Sequence, residues 1–97
     1  MTGTARSSDG LDPRRRRALF RAWHRGTREM DLLLGRFADA YIGDLNDTDL
    51  AAFEALMEVP DRDLFAWVTG REEVAANYRT PLYRAIVVFH TAPNPSP

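Results

Sequence analysis

The chain has 97 residues, of which 44% are hydrophobic and 28% charged, and its net charge is −1 at pH 7. This length suits one domain with a modest core and is too short to enclose a large substrate cavity as well. No apolar run approaches the ~20 residues of a membrane span, and the absence of cysteine excludes disulfides, thiolate catalysis and cysteine-ligated metal sites.

Charge is divided unevenly along the chain. Residues 1–36 carry nine arginines and four acids, a balance of +5, whereas residues 37–97 carry four arginines and ten acids, a balance of −6. Every basic residue is arginine and none is lysine, so each cation can form a planar fork with a carboxylate.

The N-terminal part predicts a polar tail followed by a helix. Residues 1–12 are small and polar, and we expect them to be disordered. Asp12 as N-cap and Pro13 at the first helical position predict a helix over residues 13–24. Its apolar face at helical spacing consists of Leu19, Phe20 and Trp23.

A second helix is predicted over residues 28–41. Its apolar positions follow the i, i+3, i+4, i+7 rule. They are Met30, Leu33, Leu34, Phe37, Ala38 and Tyr41. Gly35 lies inside this pattern, at a cost of about 1 kcal/mol relative to Ala.

Three further helices are predicted after a turn at residues 43–47. Asn46 or Thr48 can cap the third, which ends at residues 59–60, and Asp61 or Asp63 begins a short fourth that ends at Gly70. Thr80 followed by proline predicts the start of the last helix. Its segment 85–89 has strand propensity, but no second strand is available to pair with it, so we interpret it as helix.

These elements predict a small all-α domain, a bundle of four to five short helices over residues 13–91. The sequence pattern leaves the course of residues 71–81 open. Residues 92–97 are rich in proline, and we expect a disordered tail there.

The junction between the first two helices, residues 25–31, holds one glycine, two arginines and two acids. Gly26 would end a helix in a conformation that favours glycine. Glu29 and Asp31 could simply stabilise the helix dipole of the first turn, and Arg25 and Arg28 could be solvated. The alternative is that these charges bind a partner, because ending a helix does not require them.

The junction spells Arg25-Gly26-Thr27-Arg28-Glu29, and residues 61–67 read Asp-Arg-Asp-Leu-Phe-Ala-Trp. With Trp23 just upstream and Asp31 just downstream, the chain resembles the SdhE-type flavoprotein assembly factors over roughly residues 16–70. That family has an Arg-Gly-x-x-Glu motif between its first two helices. Residues 71–79 depart from the pattern, since they form a longer linker than is usual there.

The resemblance implies a five-helix bundle that is not itself an enzyme. It would bind the flavoprotein subunit of succinate dehydrogenase, or of fumarate reductase, and promote bonding of a flavoprotein histidine to the 8α-methyl carbon of FAD. It would hold no FAD stably and act on the FAD of its partner. The implied partner-binding residues are Trp23, Arg25, Gly26, Arg28, Glu29 and Asp31, whereas we expect Asp61, Asp63, Leu64, Phe65 and Trp67 to be mostly structural.

Two alternatives compete with this hypothesis. The cluster Arg14–Arg17 could neutralise phosphates in a nucleic-acid-binding regulator, or the chain could be a helical adaptor with another client. Because the remainder of the chain is acidic and no helix-turn-helix accompanies the cluster, we expect a solvated helix start and no nucleic-acid partner.

Other chemistry is not indicated. His24 and His90 have no metal-ligand spacing, and no nucleophile or phosphate-binding loop accompanies them, so we predict neither a metal site nor an enzyme. We expect no membrane insertion. We also expect a location in the bacterial cytoplasm rather than the mitochondrial matrix, because the N-terminal segment of residues 1–12 is short for a transit peptide and contains acids.

Overall fold

Five α-helices make up the domain in the computed structural model, which describes residues 9–91. They are α1 (Pro13–Trp23), α2 (Arg28–Tyr41), α3 (Asp47–Met57), α4 (Asp61–Val68) and α5 (Pro81–Thr91). Short 3₁₀ turns lie at Ile42–Asp44 and Ala76–Tyr78. The described part contains no strand, which confirms the predicted all-α class and the helical interpretation of residues 85–89.

Side-chain caps explain where the helices begin. The side chains of Asp12, Thr27 and Asn46 accept hydrogen bonds from backbone amides in the first turns of α1, α2 and α3. The Thr80 hydroxyl accepts from the amide of Tyr83 at 3.1 Å in α5. Each cap satisfies an amide that has no partner within the helix.

The core is built around Phe37 of α2. Its ring lies 5.9 Å from that of Phe53 and 5.7 Å from that of Phe89, so side chains from α2, α3 and α5 meet there. Among the described residues, α1 packs most extensively on α2. The two helices that flank the motif are therefore fixed to one another.

Two assignments near the N-terminus are wrong. Leu11, which we placed in the disordered tail, is buried in the core. Phe20, which we placed on the apolar face of α1, is 62% exposed and stacks on His24 with ring centroids 3.9 Å apart. The predictions for residues 1–8 and 92–97 lie outside the described residues.

Candidate functional site

The residues at the junction of α1 and α2 form an exposed surface. We call Gly26, Thr27, Arg28 and Glu29 the tip, and all four are exposed. Gly26 has φ +116°, a conformation that L-residues other than glycine adopt only with strain. An added Cβ at Gly26 would meet nothing within 4 Å. Glycine is therefore required here by the backbone conformation and not by internal crowding.

The side chain of Arg25 anchors the tip from beneath. Its Nη1 donates to the carbonyl oxygen of Met57 at 2.7 Å, and its Nη2 donates to that of Val59 at 2.9 Å. The same guanidinium pairs with Asp61, with Nη2 to Oδ1 at 2.7 Å and Nε to Oδ1 at 2.9 Å. Only 10% of the Arg25 side chain is exposed, so its guanidinium supports the tip within the fold, and a contact of Arg25 with a partner stays a prediction.

Asp31 and Thr27 fix the other side of the tip. The Asp31 carboxylate accepts a hydrogen bond from the backbone amide of Arg25 at 2.7 Å, and Thr27 caps α2 through the amide of Met30 at 3.2 Å. Asp31 therefore also acts within the fold, and its contact with a partner stays a prediction. Thr27 was not singled out from the sequence, although a threonine just before a helix is a familiar N-cap signal.

Trp23, a partner-binding residue according to the resemblance, lies largely inside the bundle. It is only 9% exposed, and its indole nitrogen donates to Asp39 of α2 at 3.0 Å. Its ring lies against Gly35, where a Cβ would come within 2.8 Å of Cε3. Gly35 thus allows α1 and α2 to approach closely, a role that the sequence pattern did not indicate.

The predicted site residues consequently separate into two groups. Gly26, Arg28 and Glu29 present an exposed surface, whereas Trp23, Arg25 and Asp31 make contacts within the bundle. The tip is held in place by hydrogen bonds at both ends, so little conformational entropy would be lost when a partner binds to it.

Comparison with known proteins gives the family. A model of the family described as "Flavinator of succinate dehydrogenase" matches residues 16–90. The chain belongs to this family. The match covers all five helices except the first residues of α1 and the last of α5.

Similar proteins occur in bacteria and in eukaryotes. The chain is 40% identical over 81 residues to "FAD assembly factor SdhE" of Acetobacter pasteurianus, covering 84% of this chain and 74% of that protein. It is 36% identical to "Succinate dehydrogenase assembly factor 2, mitochondrial" of Mycosarcoma maydis, covering 75% of this chain and 31% of that protein. Against the Dictyostelium discoideum protein of the same name, identity is 32%, covering 78% and 54%.

The chain therefore spans only about a third to a half of the length of these two mitochondrial relatives. No solved structure was found to match it.

In this member of the flavinator family, two arginines of the α1 cluster form ion pairs and hydrogen bonds within the fold. Arg14 forms a two-pronged ion pair with Glu54, at 2.7 and 2.9 Å, and these bonds lower the pKa of the Glu54 carboxyl. Arg15 pairs with Asp12 at 2.9 Å and donates to the carbonyl oxygens of Ile42 and Leu45. The expectation of a solvated helix start is therefore wrong for these two arginines, and it fits the exposed Arg16 and Arg17.

Within residues 9–91, no three acids or histidines come together in a way that could hold a metal ion. None of the helices in that range has both the length and the apolar character needed to cross a membrane.

Proposed function

We propose that this chain is an assembly factor that binds the flavoprotein subunit of succinate dehydrogenase and promotes covalent attachment of FAD to a histidine of that subunit. The observation that carries the proposal is the exposed tip with its buried support. Gly26, Arg28 and Glu29 face solvent, while the hydrogen bonds of Arg25 and Asp31 hold the residue that immediately precedes the tip.

Binding would contribute to the reaction through orientation. Bond formation between the histidine nitrogen and the 8α carbon of the flavin requires the two atoms to be held close together in a suitable direction. A rigid protein that binds the immature flavoprotein can favour that arrangement without supplying a reacting group. The exposed guanidinium of Arg28 and carboxylate of Glu29 can form charge-assisted hydrogen bonds to the client.

We further propose that the FAD belongs to the partner and is not held stably by this chain. The sequence contains no glycine-rich phosphate-binding motif of the kind found in Rossmann-type dinucleotide sites. The names of the relatives mention succinate dehydrogenase and not fumarate reductase, so we limit the proposed client to the former. Location in the bacterial cytoplasm stays a prediction, which the similarity to a bacterial protein supports.

The proposal is tested by following covalent flavin in the client. Deletion of the gene should leave the flavoprotein subunit without in-gel flavin fluorescence after denaturation, and wild-type protein should restore it. Glu29→Gln should fail to restore it, because the variant lacks the charge presented to the client. Glu72→Gln, which removes an exposed acid from the 71–79 linker, is the matched control and should restore it. Normal fluorescence in the deletion strain would reject the proposed function.

A further inference from the structure

A cleft of about 1020 Å³ opens between α2 and α5. Exposed apolar side chains are concentrated in it. Of the four large hydrophobic residues exposed among residues 9–91, three line this cleft. They are Leu32 and Tyr41 of α2 and Val88 of α5. Isolated apolar residues on a surface need no explanation, but a group of them around one concave surface indicates a binding site.

The cleft is continuous with the tip through Glu29. This residue belongs to the tip and also lines the cleft, together with Leu32 and Arg36. The three positions are spaced i, i+3 and i+7, so they form one stripe along α2. A partner that binds Glu29 is thereby placed at the mouth of an apolar groove.

We propose that the α2–α5 cleft receives a segment of the flavoprotein client, an inference that rests on the proposed function. The stripe specifies the chemistry of that segment. The client segment carries apolar side chains that pack on Leu32 and Val88. It also carries a basic residue opposite Glu29 and an acidic residue opposite Arg36. Glu29 and Arg36 lie about 10 Å apart along the helix axis, and their opposite charges fix the direction in which the segment lies.

The dimensions suit a polypeptide segment. The lining residues of α2 extend from Glu29 to Tyr41, which corresponds to about 18 Å along the helix. This length matches about three turns of a client helix or five to six residues of extended chain. An amphipathic helix lying in an apolar groove is a common mode of peptide recognition.

The experiment measures the affinity of purified variants for the FAD-loaded, not yet covalently flavinylated flavoprotein subunit by calorimetry. Leu32→Asp and Val88→Asp place a charge in the cleft at positions that are 38% and 65% exposed, so the fold should be retained, as circular dichroism would verify. Ala40→Asp is the matched control, because Ala40 is exposed on α2 and does not line the cleft. Both cleft variants should bind the client at least about tenfold more weakly, the loss expected for an interface anchor, and the control should bind like wild type.

The outcomes separate the cleft proposal from the proposed function. If Glu29→Gln weakens binding while both cleft variants bind like wild type, the function stands and the cleft proposal is overturned. If wild-type protein does not bind the flavoprotein subunit at all, the proposed function fails and this inference fails with it. If the cleft variants change only self-association, measured by sedimentation, the occupant is a second copy of the chain and the proposal is overturned.

A photo-crosslinking residue at Val88 gives an independent readout. We expect it to crosslink to one peptide of the flavoprotein subunit, and mass spectrometry should find apolar residues and a basic residue in that peptide. The same probe at Ala40 should give no such product. Crosslinking from Ala40 and not from Val88 would contradict the proposal.

Discussion

The guanidinium of Arg25 and the carboxylate of Asp61 form an ion pair at 2.7 Å, although 36 residues separate them in the chain. Arg25 lies immediately before the tip, and Asp61 is the first residue of α4. The pair therefore connects the two segments that carry the family resemblance. The Asp61–Trp67 segment supports the tip, and its first acid does more than begin a helix.

Replacement of Arg25 by lysine should destabilise the fold. A lysine ammonium is a point charge and cannot reproduce the fork that contacts Asp61 together with the carbonyl oxygens of Met57 and Val59. Unsatisfied buried acceptors cost about 1–3 kcal/mol, and we expect the free energy of unfolding to fall by that amount in urea denaturation. Arg28→Lys changes an exposed residue and should shift it by less than about 0.5 kcal/mol. Equal effects of the two substitutions would contradict the assignment of Arg25 to support of the tip.

Substitutions at Gly26 should separate conformational strain from partner contact. L-alanine must adopt φ near +116°, which should cost about 1–2 kcal/mol of stability. D-alanine, introduced by chemical ligation, adopts positive φ without that strain and should restore stability. We expect the D-alanine chain to fold normally and still bind the flavoprotein subunit more weakly, because the added methyl group covers bare backbone at the tip.

The matched control for Gly26 is Gly70. It also has positive φ, at +81°, and lies in open space, but it is remote from the tip in sequence. D-alanine there should change neither stability nor client affinity. If the chain with D-alanine in place of Gly26 binds the client like wild type, Gly26 is needed only for its backbone conformation.

Local signals in the sequence were sufficient for the helices and insufficient for the site. Residues 28–41 and the start at Pro81 were predicted correctly, because caps and apolar spacing act over a few residues. The burial of Trp23 and Arg25 depends on Asp39 and Asp61, which lie 16 and 36 residues away. Neither contact has a local signature. Sequence patterns therefore could not show that the tryptophan before the motif and the arginine within it make contacts inside the bundle.

Gly35 offers a direct test of packing against helix propensity. Propensity alone predicts that Gly35→Ala stabilises α2 by about 1 kcal/mol. The structure predicts the opposite, because the new Cβ would lie within 2.8 Å of Cε3 of Trp23, and the hydrogen bond to Asp39 opposes movement of the ring. Overpacking of this kind costs about 1–3 kcal/mol, so we expect a lower free energy of unfolding in urea.

A double-mutant cycle identifies the cause of that loss. Combining Gly35→Ala with Trp23→Leu should remove the clash, so the two substitutions together should cost less than the sum of their separate effects. Ala40→Gly, at an exposed position of the same helix, measures the propensity contribution alone. A stabilised Gly35→Ala protein would show that the ring accommodates the methyl group.

The Arg14–Glu54 ion pair should make stability depend on pH in the acid range. The hydrogen bonds from Arg14 lower the pKa of Glu54 in the folded chain below the ordinary value of about 4.3. A carboxyl whose pKa is lowered by folding stabilises the protein above its unfolded pKa. That stabilisation is lost as the pH falls through the folded value of the pKa.

Glu54→Gln should therefore be less stable than wild type at pH 7. Its free energy of unfolding should fall less steeply between pH 5 and pH 3, so that the stability curves of the two proteins converge. Glu72→Gln, the exposed control, should follow the wild-type curve throughout. Urea denaturation at pH 7, 5 and 3 measures this, and a difference between wild type and Glu54→Gln that stays constant across that range would show that the pair makes no titratable contribution.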